Sequence, residues 1–412
     1  MEGISNQFKV DNQTQNIIKV IGVGGGGSNA VNHMYRKGIT DVSFVICNTD
    51  DQALSKSPIP TKVQLGREIT HGLGAGNKPE LARQAAEESK EEIQQLLSDG
   101  TRMVFITAGM GGGTGTGAAP IVASIAHEMN ILTVGIVTIP FAFEGKRKIR
   151  QALKGVAAMS PNVDALLVVN NQRLLTIYPD LKMPDAFAKA DDVLTNAAKG
   201  IAEIITIEGY INVDFADVST ILRNGGVAVM NSGIAEGPNR ITEAITNALN
   251  SPLLNNNDIS KSKKILFNFY CANNDDVISA VEMNEITEFM NKMEDDDIEV
   301  IWGITFDDTL EHSVKVTLLA TGGELSAIPP EMMQEIAAQN QADDVVDTPK
   351  IKSWNEKSTK GSDSMGTLIS NYYPETFEAP KNQPSITLES LDSDPELLKQ
   401  LEEVPAYKRR AK

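Results

Sequence analysis

The sequence predicts an α/β protein with a mostly parallel sheet that is covered by helices on both faces. Apolar runs of strand length alternate with amphipathic runs of helix length from residue 17 to residue 169, and this alternation is typical of a parallel sheet. Two glycine-rich loops, at residues 22–28 and 108–117, each follow a strand and precede a helix. Such sheets bind ligands beyond the carboxyl ends of their strands, where both loops fall.

Strands and helices can be placed in chain order from the spacing of apolar residues. In the first half the predicted strands are 17–23, 42–47, 101–107, 131–138 and 165–169, and the predicted helices are 29–36, 79–97, 121–126 and 146–159. A long helix over 184–207 follows, since Pro184 is tolerated in a first turn and apolar residues recur at helical intervals. A second unit then comprises strands 227–230, 264–271, 298–304 and 314–320 and helices 240–249 and 277–290.

Bulk composition excludes several classes of protein. A chain of 412 residues with a formal charge of −18 is too acidic for nonspecific binding to nucleic acid or anionic lipid. Its apolar runs are too short for a membrane span and its N-terminus lacks the features of a signal peptide, which predicts a cytoplasmic protein. Cys47 and Cys271 lie within apolar strands, so we expect buried thiols and no direct side-chain ligands to a metal.

The loop Ala108-Gly-Met-Gly-Gly-Gly-Thr-Gly-Thr-Gly-Ala-Ala-Pro120 has the composition of a phosphate cradle. Glycine lets backbone amides approach an anion without a Cβ in the way, and the helix that follows adds partial positive charge. Thr114 and Thr116 add hydroxyl groups that can contact phosphate, metal or water. The loop lacks the lysine of the common phosphate-binding loop, so backbone dipoles would hold most of the anion.

The first glycine loop leaves two kinds of nucleotide open. Gly22, Gly24 and Gly27 satisfy the dinucleotide pattern Gly-x-Gly-x-x-Gly, and Asp50 ends the next strand, where a ribose-binding acid would lie. A nicotinamide-dependent oxidoreductase is therefore one interpretation. The second glycine loop favours a nucleoside triphosphate with Mg²⁺ instead, because a triphosphate must be contacted from several sides.

The two loops and five further motifs, taken in their order along the chain, resemble those of the tubulin/FtsZ family of polymerising GTPases. The further motifs are Asn48-Thr-Asp50, Gly72-Leu-Gly-Ala-Gly76, Phe143-Glu-Gly-Lys146, Arg173-Leu-Leu175 and Asn212-Val-Asp-Phe-Ala-Asp-Val218. The resemblance implies a Rossmann-like parallel-sheet GTPase domain joined by a long central helix to a smaller α/β domain. It also implies GTP and GDP as ligands, and head-to-tail filaments that form the cytokinetic ring of dividing bacteria.

Together, the apolar periodicity and the family resemblance divide the chain into folded parts and tails. Polar stretches without periodicity at both ends predict disorder. The predicted parts are a disordered tail over 1–16, a nucleotide-binding domain over 17–183, a central helix over 184–210, a smaller domain with the catalytic loop over 211–335, a disordered linker over 336–402 and a partner-binding peptide over 403–412.

The resemblance implies a phosphate-binding role for both glycine loops. The residues implied at the α- and β-phosphates are Gly25, Gly26, Gly27, Ser28 and Asn29, and those at the β- and γ-phosphates are Gly111, Gly112, Gly113, Thr114, Gly115, Thr116 and Gly117. Ala75 and Gly76 would lie on a loop that senses the γ-phosphate. Ser28 departs from the family, in which Asn or Gly is common at this position.

At the other end of the nucleotide the resemblance implies contacts to ribose and base. Glu144 would accept from the ribose hydroxyls and Phe187 would stack on the base. Asn171 and Asp191 would recognise guanine, since a carboxylate accepts from its N1 and N2 hydrogens and adenine lacks that donor pair. Lys148 stands where the family usually has arginine, and an ammonium group cannot reproduce the guanidinium fork.

Asn212, Asp214 and Asp217 stand at the start of a predicted helix. The two acids are three residues apart, so they lie on one face of the turn and can polarise a water for attack on the γ-phosphate. N-capping is the alternative, although we expect it to account for one acid only. The acids also disfavour a protein that binds nucleotide without hydrolysing it. They follow the long helix, away from the glycine loops, so we expect them to act on the nucleotide of a neighbouring subunit.

The C-terminal segment combines a few apolar residues with four cations. Its proposed binding residues are Val404, Pro405, Ala406, Tyr407, Lys408, Arg409 and Arg410. Apolar anchors beside charge at a flexible end favour a peptide that docks in a partner's groove over a solubilising tail. The resemblance implies that this partner is a membrane-tethering division adaptor, such as an actin-like FtsA-type protein, at the inner face of the membrane.

Overall fold

The structure is a computed structural model that describes residues 16–249, 262–274, 276–293 and 298–323. The predicted linker over 336–402, the terminal peptide over 403–412 and all but the last residue of the tail over 1–16 lie outside the described residues. Within them, eleven strands form one sheet in the order β3-β2-β1-β4-β5-β6-β8-β11-β9-β10-β7. This mixed sheet with helices confirms the predicted α/β class.

The first half is a parallel sheet of six strands, as the alternating pattern predicts. Its strands are β1 Ile18–Val23, β2 Ser43–Asn48, β3 Thr61–Gln64, β4 Met103–Gly109, β5 Leu132–Ile139 and β6 Ala165–Asn170. Its helices are α1 Gly24–Arg36, α2 Asp51–Lys56, α3 Arg67–Thr70, α4 Pro79–Glu88, α5 Lys90–Leu97, α6 Thr114–Glu128, α7 Lys146–Met159 and α8 Asn171–Ile177.

Both glycine loops are shorter than predicted, because the helices begin within them. Helix α1 starts at Gly24 instead of residue 29, and α6 starts at Thr114 instead of residue 121. The N–H groups of a first helical turn have no partner inside the helix. A first turn built of small residues also has no apolar periodicity, so the pattern that predicts helices misses it.

Short elements account for the other differences in this half. The predicted helix 79–97 is two helices, because Ser89 leaves the helical conformation and its hydroxyl accepts from the Gly66 amide at 3.0 Å. Elements α2, β3, α3 and α8 are absent from the prediction. None of the four is longer than seven residues, which is too short for periodicity to identify them.

The second half begins with the long helix α9 Met183–Thr206. The remaining strands are β7 Gly209–Ile211, β8 Gly226–Ala235, β9 Lys264–Cys271, β10 Glu299–Phe306 and β11 Val314–Gly323, and the remaining helices are α10 Phe215–Leu222, α11 Arg240–Leu249 and α12 Ala280–Met293. Strand β11 is antiparallel to β8 and β9, and β8 joins the first half by parallel pairing with β6. Because all strands share one sheet, the domain limits 17–183, 184–210 and 211–335 stay predictions.

Two apolar clusters can be traced within the core of the described residues. The larger one contains side chains of α1, α9 and α10 packed on the first half of the sheet, and also Leu266 and Leu319 from the second half. The smaller one lies between α11, α12 and strands β9 to β11. Cys47 and Cys271 are both buried free thiols, as predicted, and burial raises the pKa of Cys47 to about 12. Within the described ranges none of the helices has the length and hydrophobicity to cross a membrane.

Gly117→Ala is expected to destabilise the fold, because a Cβ at that position would lie 1.9 Å from the carbonyl oxygen of Pro79. A backbone atom cannot yield as a side-chain end can, so we expect the free energy of unfolding to fall by about 3 kcal/mol. Denaturant titration measures this loss. Gly25→Ala is the matched control, since its ideal Cβ has no atom within 4 Å; an equal loss in both variants would contradict the packing explanation.

Candidate functional site

A cavity of about 260 Å³ opens beyond the carboxyl ends of the central parallel strands. Strands β4 and β5, the starts of α1, α7 and α8, and the first half of α9 contribute to its wall. The lining residues are Gly26, Asn29, Gly109, Met110, Gly111, Gly112, Thr138, Pro140, Glu144, Lys148, Asn171, Phe187, Ala190, Asp191 and Leu194.

The cavity brings together nine of the residues predicted for the nucleotide site. They are Gly26, Asn29, Gly111, Gly112, Glu144, Lys148, Asn171, Phe187 and Asp191. Its wall does not include Gly25, Gly27, Ser28, Ala75, Gly76 or the stretch 113–117. The remaining wall residues are absent from the prediction because they look like ordinary core positions in a sequence; they are Gly109, Met110, Thr138, Pro140, Ala190 and Leu194.

The starts of α1 and α6 touch each other beside this cavity. An ideal Cβ on Gly24 would lie 2.7 Å from the amide nitrogen of Gly115, and one on Gly26 would lie 3.0 Å from the Cα of Gly109. Two helix N-termini, each with unpaired N–H groups and partial positive charge, therefore lie side by side next to the cavity, which suits an anion. Gly112 leaves open space where a side chain would otherwise stand.

Several loop residues are needed for packing in addition to any contact with a ligand. Cβ atoms on Gly27 and Gly115 would meet the carbonyl oxygens of Thr107 and Gly109 at 2.2 and 2.5 Å. Thr116 is buried, and its hydroxyl accepts from the amide of Gly111 at 2.9 Å. The Thr116 hydroxyl therefore holds the loop closed, a role that the sequence did not reveal.

The loop predicted to sense the γ-phosphate packs directly on the cradle. A Cβ on Gly113 would lie 3.1 Å from the Cβ of Ala75, and the hydroxyls of Thr49 and Thr114 are 2.7 Å apart. Asp50 does not face the cavity. One oxygen of its carboxylate caps α2 by accepting from the Ala53 amide at 3.1 Å, and the residue is absent from the cavity wall, which disfavours a dinucleotide site.

Aromatic rings and polar groups form the other end of the cavity. Phe187 packs edge-on against Phe141, with ring centroids 5.1 Å apart, and remains partly exposed. Asn171 is buried, yet its Oδ1 has no hydrogen-bond partner among the described residues. Glu144 accepts from the Phe141 amide at 3.0 Å and from the Lys148 ammonium at 3.2 Å. A buried acceptor without a partner fits a ligand that supplies an N–H donor.

Asp191 is a mostly buried carboxylate in the wall of the cavity. Burial raises the pKa of Asp191 to about 6, with the His33 imidazole acting against this rise and the Asp192 carboxylate adding to it. Asp192 is itself bonded to His33, with Nε2 and Oδ1 2.8 Å apart. The site therefore keeps an acceptor that is charged at neutral pH but close to its titration range.

The predicted acids form the N-terminal cap of α10. Asp214 Oδ1 accepts from the amides of Ala216 and Asp217 at 2.7 and 3.0 Å, and Asp217 Oδ2 accepts from the Asp214 amide at 3.0 Å. The expectation that capping accounts for only one acid is wrong, because the two carboxylates cap each other's backbone reciprocally. Asn212 accepts from the Gly209 amide at 2.6 Å. Within the described residues, Asp214 Oδ2 and Asp217 Oδ1 have no hydrogen-bond donor.

The acid turn and the cavity lie at opposite ends of the sheet. The Arg102 guanidinium, which precedes β4, lies 4.5 Å from the ring centre of Phe215 in the acid turn. Gly109 in the cavity wall is the last residue of the same strand, and seven strand residues span about 20 Å. Along α9, the twelve residues that follow Leu194 likewise span about 18 Å. One molecule therefore cannot bring the acids to its own cavity.

Comparison with known proteins identifies the family of the chain. Residues 17–179 match the family model of the Tubulin/FtsZ family, GTPase domain, and residues 226–324 match that of the FtsZ family, C-terminal domain. The chain is 54% identical to the cell division protein FtsZ of Porphyromonas gingivalis over 95% of this chain and 85% of that protein. The chain belongs to the FtsZ family. Its activity is therefore GTP hydrolysis, and GTP and GDP are its ligands.

Solved structures of FtsZ and related proteins have the same fold. The empty FtsZ dimer of M. jannaschii superimposes with a TM-score of 0.69 at 40% identity, over 77% of this chain and 90% of that one. CetZ2 from Haloferax volcanii, solved as a GTPγS-bound protofilament, has a TM-score of 0.63 at 20% identity, over 80% of this chain and 99% of that one. The second likeness shows the fold alone.

The affinity for GTP is expected to fall as the pH is lowered from 7 to 5. A pKa of about 6 means that Asp191 takes up a proton well above the range of an ordinary aspartate, and a protonated carboxyl accepts more weakly from guanine. If only the carboxylate form binds, the dissociation constant rises about tenfold at one pH unit below that pKa. Fluorescence titration at pH 7, 6 and 5 measures the change.

Asp191→Asn is the control for this pH dependence. Titration of the GTP phosphates affects both proteins equally, so it cancels in the ratio of their dissociation constants. We expect the variant to bind more weakly at pH 7 and the ratio to approach one at pH 5. A ratio that stays constant with pH would show that Asp191 is not the titrating group.

Proposed function

We propose that this chain is a polymerising GTPase of bacterial cell division that hydrolyses GTP at the contact between two protomers. The observation that carries this proposal is that the cavity and the acid turn lie at opposite ends of strand β4. Membership of the FtsZ family, with a relative named as a cell division protein and another solved as a dimer, supports the division role and self-association.

Head-to-tail stacking would bring the two half-sites together. The cavity lies beyond the carboxyl end of β4 and the acid turn lies at its amino end, so one translation along the strand places the acids of one protomer above the cavity of the next. This contact joins two different surfaces, so it repeats without closing and produces a filament. The filament orientation therefore follows from the position of the half-sites.

Each end of the nucleotide would meet residues suited to it. Asn171 Oδ1 and the Asp191 carboxylate offer acceptors to the N1 and N2 hydrogens of guanine, and Phe187 offers an aromatic face to the base. Glu144 and Lys148 lie where the ribose would be held. The N-termini of α1 and α6 would bind the phosphates, with backbone dipoles in the place of the lysine that other phosphate loops provide.

Mg²⁺ is the proposed metal partner of the triphosphate. The hydroxyls of Thr49 and Thr114 provide hard oxygen atoms beside the cradle, which suits this ion. Among the described residues no group of three His, Cys, Asp or Glu could hold a metal, so phosphate oxygens and water would supply most of its ligands. The bound ion would neutralise part of the charge on the γ-phosphate.

The acid turn would supply the hydrolytic step. In Asp214 and Asp217, one carboxylate oxygen is used by the cap and the other is left to orient a water and accept its proton. The cap fixes both groups before the neighbouring protomer arrives, so little ordering is needed at the moment of reaction. Asn212 on the same turn offers its side-chain amide to the incoming nucleotide.

Asp214→Asn and Asp217→Asn are expected to bind GTP normally and to lose turnover by about 100-fold or more. Asparagine keeps an oxygen that can cap α10, so these variants remove the charge and preserve the turn. Phosphate release and nucleotide titration measure the two effects separately. Glu243→Gln, at an exposed position on α11, removes one negative charge elsewhere and is expected to keep wild-type turnover.

The wild-type protein provides a second control for the same proposal. Turnover per subunit is expected to stay low until the concentration at which sedimentation detects polymer, and then to rise. A rate per subunit that is constant from dilute monomer to polymer would disprove hydrolysis between protomers. Normal turnover in both asparagine variants would exclude the two acids.

The terminal peptide at 404–410 is proposed to bind a membrane-tethered, actin-like division adaptor and so to bring filaments to the division site at the inner face of the membrane. This segment lies outside the described residues, and the proposal is supported by its composition of apolar anchors beside four cations. The acidic body of the protein gives it no attraction of its own for anionic lipid.

Deletion of residues 400–412 is expected to abolish capture by the adaptor and to leave polymerisation and GTPase activity unchanged. Co-sedimentation with adaptor-coated vesicles measures the capture. A deletion of the same length inside 341–399 is the control, because it shortens the tail and keeps the peptide. Capture that survives the terminal deletion would refute the assignment.

A further inference from the structure

Gln151 on α7 contacts the phosphate cradle through its side-chain amide. Its Nε2 donates to the carbonyl oxygen of Gly112 at 2.8 Å and to that of Gly111 at 3.2 Å. A third, longer contact of 3.4 Å reaches Asn77 Oδ1 on the loop predicted to sense the γ-phosphate. This side-chain amide therefore links α7 to the cradle and to Asn77.

The approach of α7 to the cradle is close and is set by glycine. A Cβ on Gly155, one helical turn after Gln151, would lie 2.6 Å from Thr116 Cγ2. A Cβ on Gly111 would lie 3.0 Å from the carbonyl oxygen of Lys148. The cradle thus rests on the backbone of α7, and Gln151 is within reach of its carbonyl groups without strain.

The two contacted carbonyls determine which way the neighbouring amides point. In a planar trans peptide the C=O and the following N–H point in opposite directions. Because Gln151 holds the carbonyls of Gly111 and Gly112 toward α7, the N–H groups of Gly112 and Gly113 point away from it. Neither of these two N–H groups has an acceptor among the described residues.

Glycine peptides can adopt either orientation at little cost. Gly111 has φ +104, a conformation open mainly to glycine, and a Cβ on Gly112 would meet nothing within 4 Å. If these peptides flipped, two carbonyl oxygens would face the phosphate in place of two N–H donors. The sign of the local electrostatic potential would then oppose anion binding.

We propose that Gln151 is a positioning residue of the GTP site, which orients the peptides of Gly111 and Gly112 so that the cradle presents N–H groups to the phosphates. It acts through the loop and does not touch the nucleotide. This role rests on the GTP-binding activity of the family and is independent of where hydrolysis takes place.

Gln151→Met tests this role, because methionine has a similar length and offers no donor. We expect GTP and GDP to bind about 10- to 100-fold more weakly, while guanosine, which has no phosphate, binds within twofold of wild type. Competition against a fluorescent guanine nucleotide measures all three. The ³¹P resonance of the β-phosphate of bound GDP is expected to shift, since its hydrogen-bond donors change.

Gln151→Glu is the second variant, which keeps the shape and polarity of the side chain but removes its donor at neutral pH. We expect a loss of phosphate-dependent affinity at least as large as in Gln151→Met, because a carboxylate also repels the two carbonyl oxygens. Lys154→Ala, at an exposed position three residues further along α7, is the control for helix stability and is expected to bind GTP as wild type does.

Three results would overturn the proposal. They are wild-type GDP affinity with an unshifted ³¹P resonance in either variant, an equal loss for GDP and guanosine, and a loss of cooperative thermal unfolding in both variants. The last two would make Gln151 a residue of folding or general packing. Loss confined to the phosphate-bearing ligands, in variants that unfold cooperatively, supports the proposal.

Discussion

The close contact between the first turns of α1 and α6 is the constraint on which the rest of the site depends. Glycine at positions 24, 26 and 115 lets the two backbones approach to distances that any side chain would prevent. Their first-turn N–H groups then lie side by side next to the cavity, and we propose that this lets an acidic chain hold a triphosphate without a lysine in the loop. The sheet order, which places β1 beside β4, is what brings these two turns together.

Other parts of the site are arranged around this contact. Gln151 on α7 donates to carbonyl groups of the cradle, and the loop that carries Ala75 packs against Gly113. Helix α9 passes over the sheet, with Asp191 at the cavity and its far end leading to the acid turn. Substrate binding and the proposed hydrolytic acids are thus attached to one helix at a separation that a single protomer cannot bridge.

Much of this organisation could be predicted from the sequence, because long helices and strands show a clear apolar period. The parallel strands, the long helix and both glycine loops follow from spacing alone, and the cavity contains nine of the residues implied by family resemblance. Helices α1 and α6 start earlier than predicted, since small residues in a first turn carry no apolar pattern. Elements of seven residues or fewer, such as β3 and α8, are too short to show a period.

Roles that depend on a distant partner could not be predicted. Nothing in the sequence shows that Gln151 meets the carbonyls of a loop 39 and 40 residues away, or that His33 pairs with Asp192 across two helices. The sequence did not show that Asp217 takes part in the cap, because that role depends on a hydrogen bond from the Asp214 amide. In each case a common polar residue acquires its function from the tertiary arrangement.

The two halves of the sheet are joined by a short pairing between β6 and β8, which we call the seam. Only two residue pairs join these strands, whereas six join β5 to β6 and eight join β8 to β11. Across this line, apolar residues of α9 pack in one cluster with Leu266 and Leu319. Packed side chains slide past one another more readily than paired strands separate. Bending within a subunit would therefore be taken up along this seam, while each half keeps its shape.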